Sequence, residues 1–173
     1  MSTAREVRLR IRSVKNIAQL TRALQTVSAS KVRRAMAAML NTRPYATKAW
    51  QVLTHIAGQP GRATLHPLLS RRAEVKTVLV VLLTSDRGLA GAYNTNIVRY
   101  CLQRFDKYEV PVQYITVGRK GRDILLRLGK NILAEFSNLP ADPDIGDVAG
   151  IARIIFDEFI DQPVDEVFIA YTH

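Results

Sequence analysis

Between residues 7 and 56, apolar or small side chains recur in alternating steps of four and three: Val7, Ile11, Val14, Ala18, Thr21, Gln25, Ser28, Val32, Ala35, Met39, Thr42, Ala46, Ala49, Leu53 and Ile56. An unbroken seven-residue repeat of this kind predicts a helix of the left-handed coiled-coil type. The middle of the line is small and polar, and there a neighbouring line of Ile17, Leu20, Leu24 and Val27 takes over. The apolar seam therefore drifts sideways. A helix lying on one constant partner has no need of that drift; one that leaves one neighbour and meets another does. Ser2 or Thr3 is placed to cap the start, with Glu6 spaced for a capping box from Thr3. Pro44 predicts a kink or a restart, with Arg43 biased away from helix, and Gly58, Pro60 and Gly61 end the segment. Residues 1–57 are thus predicted as one long coiled-coil helix kinked near Pro44, about 80 Å from end to end.

After a turn-rich link at residues 58–74 the period changes. Residues 75–84, VKTVLVVLLT, form a continuous apolar run of the kind that makes a strand buried on both faces. A polar turn, SDRGLAGAYN, leads to a helix at 96–108, and a second strand follows at 110–117. GRKGRD opens a helix to residue 128, with a short third strand at 132–136. A loop at 142–147, an amphipathic helix at 148–162 and a strand at 164–171 complete the chain. Alternating strands and helices predict an α/β unit over residues 75–173: a small, mostly parallel, Rossmann-like sheet with helices on both faces. The last residues lie in or just after a strand, where a doubly wound sheet continues with a helix. No second helix matches the first in length. Both features lead to the expectation that this is the front part of a longer chain.

Charge sharpens the division. The first 55 residues hold eleven Lys or Arg and one acid, Glu6, which already makes the whole net charge of +10; the remaining 118 balance at fourteen of each sign. Arg5, Arg8, Arg12, Lys15, Arg22 and Arg33 fall on one line of three- and four-residue steps. Like charges so spaced weaken an isolated helix by roughly 0.2–0.5 kcal/mol per pair. Solvated coiled-coil faces mix Glu with Lys, and this one does not, so an electronegative partner is favoured over a merely wet stripe. Nucleic acid is one such partner, but residues 1–43 contain no aromatic side chain for base stacking. The longest uncharged apolar run, Val78–Leu83, is far too short to span a bilayer, and no apolar segment of a secretory signal follows the N-terminus. Cys101 is the only cysteine, which excludes an internal disulfide and fits a reducing compartment.

Candidate chemistry is sparse. The turn after the first strand carries Gly88 and Gly91 as G-x-x-G, whereas the dinucleotide and P-loop fingerprints need G-x-G-x-x-G or G-x-x-x-x-G-K-[ST]. A structural turn, a protein contact and a nucleotide site all stay open there. Gly118-Arg119-Lys120-Gly121-Arg122 stands where a helix N-terminus holds anions, or is a basic surface turn. His55, His66 and His173 have no ligand spacing, so no metal site is expected. Asp157, Glu158 and Asp161 read as the wet face of a helix. No nucleophile, base and orienter come together, and neither a catalytic residue nor a cofactor is expected.

Two blocks carry a resemblance. SVKNIAQLTRALQTVSASKVRRA, then RPYA and HIA, resembles the N-terminal helix of the gamma subunit of F-type ATP synthases. HPLLSRRAEVKTVLVVLLTSDRGLAGAYNTNI resembles that family's first buried strand and the turn after it. Family members continue into a long C-terminal helix antiparallel to the first, and this chain ends before it. The resemblance implies a non-catalytic rotor subunit, a central stalk turning inside the alpha/beta hexamer and meeting the epsilon subunit and the c-ring at its globular end. It implies no nucleic acid, membrane contact only through the complex, and a peripheral place on the cytoplasmic face of a bacterial plasma membrane. Residues matching the first block, Leu20, Leu24, Val27, Ser28, Lys31, Arg33 and Arg34, are the implied contacts with the hexamer; Arg87, Gly88 and Leu89 match the epsilon and c-ring end. A basic helical nucleic-acid module and a nucleotide-binding α/β enzyme are the alternative readings.

Overall fold

The computed structural model describes residues 3–59, 66–69, 72–141, 143–161 and 164–172. Ser2, Pro60, Gly61, Asp142, Gln162 and His173, which the sequence reading used, lie outside the described residues. The chain divides into two units, Met1–Leu53 and Thr54–His173.

Helix α1 is Ala4–Ala57. No glycine occurs before Gly58, and Ala and Arg, both good helix formers, are the commonest residues of the segment, so little intrinsic preference opposes helix. Its start is a capping box: Glu6 N–H donates to Thr3 Oγ1 at 3.4 Å, and Thr3 N–H donates to Glu6 Oε2 at 2.9 Å. The helix does not restart at Pro44. Helical backbone runs through it, Arg43 included, because turns on both sides carry the segment past the one N–H that proline lacks. Just before it the Thr42 hydroxyl reaches back to Ala38 O and Met39 O, both at 3.1 Å. At the other end Gly58 N–H donates to Thr54 O and His55 O.

The second unit is a four-stranded sheet, β1 (Val78–Leu83), β2 (Val112–Val117), β3 (Asn131–Phe136) and β4 (Glu166–Ala170), in the order β3-β2-β1-β4. Every pairing is parallel: Val80 stands opposite Tyr114 on one side and Phe168 on the other. Helices α2 (Tyr93–Phe105), α3 (Arg119–Arg127) and α4 (Ile145–Ile160) connect the strands. β1 is central because all its side chains are apolar. Val78, Val80 and Leu82 pack with Ile97, Val98, Cys101 and Phe105 of α2 and Leu125 of α3. Leu79 and Val81 face the other way, with Ile115, Val164 and Ile151 of α4. Helices therefore cover both faces, and β1 has no wet side. Burying each Val or Leu contributes about 1.5–3 kcal/mol.

Several boundaries differ from the sequence expectation. α4 starts at Ile145, inside the predicted loop, since Asp144 and Asp147 form a reciprocal capping box. α2 starts at Tyr93 and ends at Phe105, earlier at both ends than predicted. At the amino end of the sheet, Asp165 gathers the approaching chain. Its carboxylate accepts from Lys76 N–H at 2.7 Å, Thr77 N–H at 3.0 Å and the Arg72 guanidinium at 3.1 Å. Arg72 also donates to Phe159 O and stacks over the Phe159 ring.

Candidate partner-binding surfaces

No residue of the fully described α1 is buried. Leu20, Leu24 and Val27 are 61%, 58% and 53% exposed, and Ser28, Lys31, Arg33 and Arg34 are exposed as well. At ~100° per residue, Leu20, Leu24, Val27, Lys31 and Arg34 share one face, with Ser28 at its edge. Arg33 is on the far side, with the line of cations. The seven candidates thus form two surfaces: an apolar strip tipped by Lys31 and Arg34, and a cationic stripe that Arg33 belongs to.

The turn after β1 is built by side chains the sequence reading did not single out. Ser85 N–H donates to Asn94 Oδ1 at 2.9 Å, Asn94 Nδ2 donates to the Ser85 hydroxyl at 2.8 Å, and that hydroxyl donates to Arg87 O at 2.6 Å. Asn94 is itself buried. This bracing pins the first half of the turn and throws the second half outward: Leu89 has φ 63 and is wholly exposed, and Gly91 has φ 56. Arg87 and Gly88 are exposed too. The three candidates of this end lie side by side on one protruding turn.

The neighbouring helix start is closed. Gly121 N–H donates to Thr84 Oγ1 at 2.9 Å, Lys120 N–H to Ser85 O at 3.0 Å, and Arg119 N–H to Asp86 Oδ1 at 3.1 Å. Gly118 N–H donates to Phe136 O at 2.7 Å. Three successive residues of the β1 turn thereby occupy three successive donors of α3. The positive end of the α3 dipole is met by the Asp86 carboxylate, where a nucleotide-binding sheet would place a phosphate. The glycines serve this contact. A Cβ on Gly118 would come within 2.2 Å of Thr84 O, and one on Gly121 within 2.7 Å of Thr84 Oγ1. The G-R-K-G-R run is a packing motif, and as an anion site it is filled from within.

Cys101 is buried on the inner face of α2, and burial, then the charge of Asp106, pushes its thiol up to about 11. It is no nucleophile at neutral pH. Among the described residues no cluster of three or more His, Cys, Asp or Glu could hold a metal ion, and no helix is long and apolar enough to cross a membrane.

Residues 3–173 match the family model described as ATP synthase, and the chain belongs to this family. Relatives that the chain matches include ATP synthase gamma chains. The ATP synthase gamma chain of Dehalococcoides mccartyi (strain CBDB1) is 42% identical over 173 residues, covering 99% of this chain and 60% of its own length. That of Roseiflexus castenholzii (strain DSM 13941 / HLO8) is 40% identical over 176 residues, and that of Coxiella burnetii (strain RSA 493 / Nine Mile phase I) 36% over 173; these cover 99% and 98% of this chain and 60% of each relative. The chain therefore spans about 60% of the length of these relatives. Among solved structures, a chain of the central stalk/c-ring of the Tetrahymena thermophila mitochondrial ATP synthase matches with TM-score 0.62 at 23% identity, covering 80% of this chain and 59% of that one. One from the Euglena gracilis mitochondrial ATP synthase (OSCP/F1/c-ring, rotational state 3) matches with TM-score 0.54 at 18% identity, covering 88% and 48%. At these identities the likeness is one of fold: a long helix followed by a parallel sheet.

Proposed function

We propose that this chain works as a central-stalk rotor subunit of an F-type ATP synthase, coupling proton-driven rotation of the membrane c-ring to conformational cycling of catalytic sites on the beta subunits. Membership of the gamma-chain family supports the reading, and one observation carries it: a 54-residue helix without a buried residue, whose cations have no acid of their own beyond Glu6. In this reading, other subunits supply surface to such a helix. The apolar strip of Leu20, Leu24 and Val27, with Ser28, Lys31 and Arg34, faces the inner wall of the alpha/beta hexamer, and the stripe containing Arg33 faces acidic loops of beta. The Arg87-Gly88-Leu89 turn meets the epsilon subunit and the c-ring.

No residue of this chain makes or breaks a bond in that role. An asymmetric shaft favours a different conformation in each of three catalytic sites, and turning it exchanges those conformations. Small side chains and diffuse charge suit a surface that must slide, because a few deeply seated anchors would resist rotation. Cofactors are not required, and contact with the membrane is indirect, through the complex on the cytoplasmic face. Replacing Arg33→Glu together with Arg34→Glu tests the reading: proton-driven ATP synthesis in membranes should fall while the sheet domain stays folded. Unchanged synthesis would refute it.

A further inference from the structure

The chain leaves α1 at Ala57 and enters β1 at Val78, and it is tied to the sheet domain before it arrives. The single turn Pro67–Leu69 lies against α4. Arg72 then holds three partners with one side chain. Nη1 donates to Asp165 Oδ1 at 3.1 Å, Nη2 donates to Phe159 O at 2.6 Å, and the guanidinium carbon stands 5.2 Å from the centre of the Phe159 ring. Phe159 O belongs to the last turn of α4, whose carbonyls lack partners within the helix, and a cation there also meets the negative end of the dipole. Four positions on, Asp165 Oδ2 accepts from Lys76 N–H and Thr77 N–H, and Asp165 N–H donates to Thr77 O at 3.0 Å. The Asp165 side chain is only 7% exposed. Its bonds to residues 76 and 77 are enough to start β1 beside β4. Arg72 stands outside both core clusters, and starting the strand does not require it.

We propose that Arg72 is a positioning residue of the rotor: held by Asp165 and the end of α4, it stops the strand between α1 and the sheet from acting as a swivel, so that this strand carries torque. The proposal rests on the reading of the chain as a central-stalk subunit. A single polypeptide strand turns about two soft dihedrals per residue, so it transmits tension but no twist unless it is gripped at more than one point. Arg72 and the Lys76–Thr77 pair are two such grips, fixed to the two oxygens of one carboxylate. A guanidinium suits the first grip. Its planar fork reaches a carboxylate and a carbonyl together while its face lies on an aromatic ring, whereas an ammonium is a point charge without that fork or face.

The test compares Arg72→Ala and Arg72→Lys with wild type, first in the chain itself and then in ATP synthase assembled with it in liposomes. In Arg72→Ala the amide order parameters of Ala73, Glu74 and Val75 should fall from about 0.85 to below about 0.6, with those of Val80 and Val81 unchanged. ATP synthesis driven by an imposed proton gradient should be lost progressively as the opposing ATP concentration rises, while ATP hydrolysis and the amount of assembled complex stay at the wild-type level. Arg72→Lys should fall between the two. If Arg72→Ala frees residues 73–75 and still synthesises against load like wild type, the torque role is wrong and the rotor reading stands. If residues 73–75 stay ordered in Arg72→Ala, Arg72 is not a grip and the proposal falls as well. Loss of order at Val80 and Val81, with assembly, synthesis and hydrolysis reduced alike, would make Arg72 a fold residue only and overturn it too. If a complex assembled without this chain synthesises ATP from the gradient as the wild type does, the rotor reading fails and this inference fails with it.

Discussion

Gly118 is where the fold meets the turn most tightly, and Gly118→Ala gives the sharpest test of that geometry. The residue has φ 102 and ψ 137, a region that costs a side-chain-bearing residue about 1–3 kcal/mol. Its new Cβ would stand 2.2 Å from Thr84 O and 2.6 Å from Thr84 C. Those are backbone atoms at the end of β1, so no rotamer change relieves the overlap, and displacing them adds about 1–3 kcal/mol. The sum is about 2–6 kcal/mol, a large part of the ~5–15 kcal/mol that holds a domain together. Gly129→Ala is the control: φ is 65, and nothing lies within 4 Å of the added methyl, so only the left-handed term of roughly 1–2 kcal/mol applies. Urea unfolding followed by the near-ultraviolet dichroism of the domain tyrosines compares the two variants. Gly118→Ala should be the less stable, by about 2–3 kcal/mol at the centres of these ranges. Equal midpoints and slopes would mean that the contact with Thr84 is not what makes position 118 glycine.

Two further outcomes follow from titratable groups. The Asp165 carboxyl lies below its ordinary 3.8, chiefly through the Lys76 N–H bond and also through Thr77 N–H and Arg72, against the opposing effect of burial. A carboxyl depressed on folding stabilises fully above its ordinary value and loses that contribution as pH falls through the lowered one. Asp165→Asn should therefore be less stable than wild type at pH 7, with the gap closing in acid below about pH 4; a gap independent of pH, in urea midpoints measured from pH 2 to 7, would contradict the assignment. Cys101, raised from 9.0 to about 11, should hold about 100-fold less thiolate at pH 8 than an ordinary thiol. Thiol labelling should be slow in the native chain and fast in urea, and rapid native labelling would show that α2 opens.

What the sequence made legible was what one-dimensional pattern carries. A long heptad line, a turn box at Thr3 and Glu6, and an apolar run with no polar member made α1 and the central strand readable. The capping box of α4 is also legible, as Asp144 and Asp147 three apart, but three aspartates with Pro143 and Gly146 between Pro140 and Val148 favour a loop by local preference. Pro44 carries a local penalty that predicts a restart, and the helix on both sides runs through it. The role of Asp86 was not legible, since its partners Arg119 and Asn138 are 33 and 52 residues away and come together only once three strands align. For the same reason the two glycines of residues 118–121 leave an anion site or a basic surface turn open, and neither reading contains their packing role. Their close neighbour, Thr84, belongs to another strand's end. On α1, spacing alone separates Arg33 from Lys31 and Arg34, yet matching by resemblance grouped them.

The central claim is that the cations of α1 are completed by acidic surfaces of the alpha and beta subunits. The direct measurement is the association rate of the chain with a purified alpha/beta hexamer across a salt series, for wild type and Arg33→Glu/Arg34→Glu. Wild type should associate faster at low salt and slow steeply as salt rises, and the reversed pair should cut the rate at low salt by about tenfold or more. A rate indifferent to both salt and charge reversal would contradict the claim.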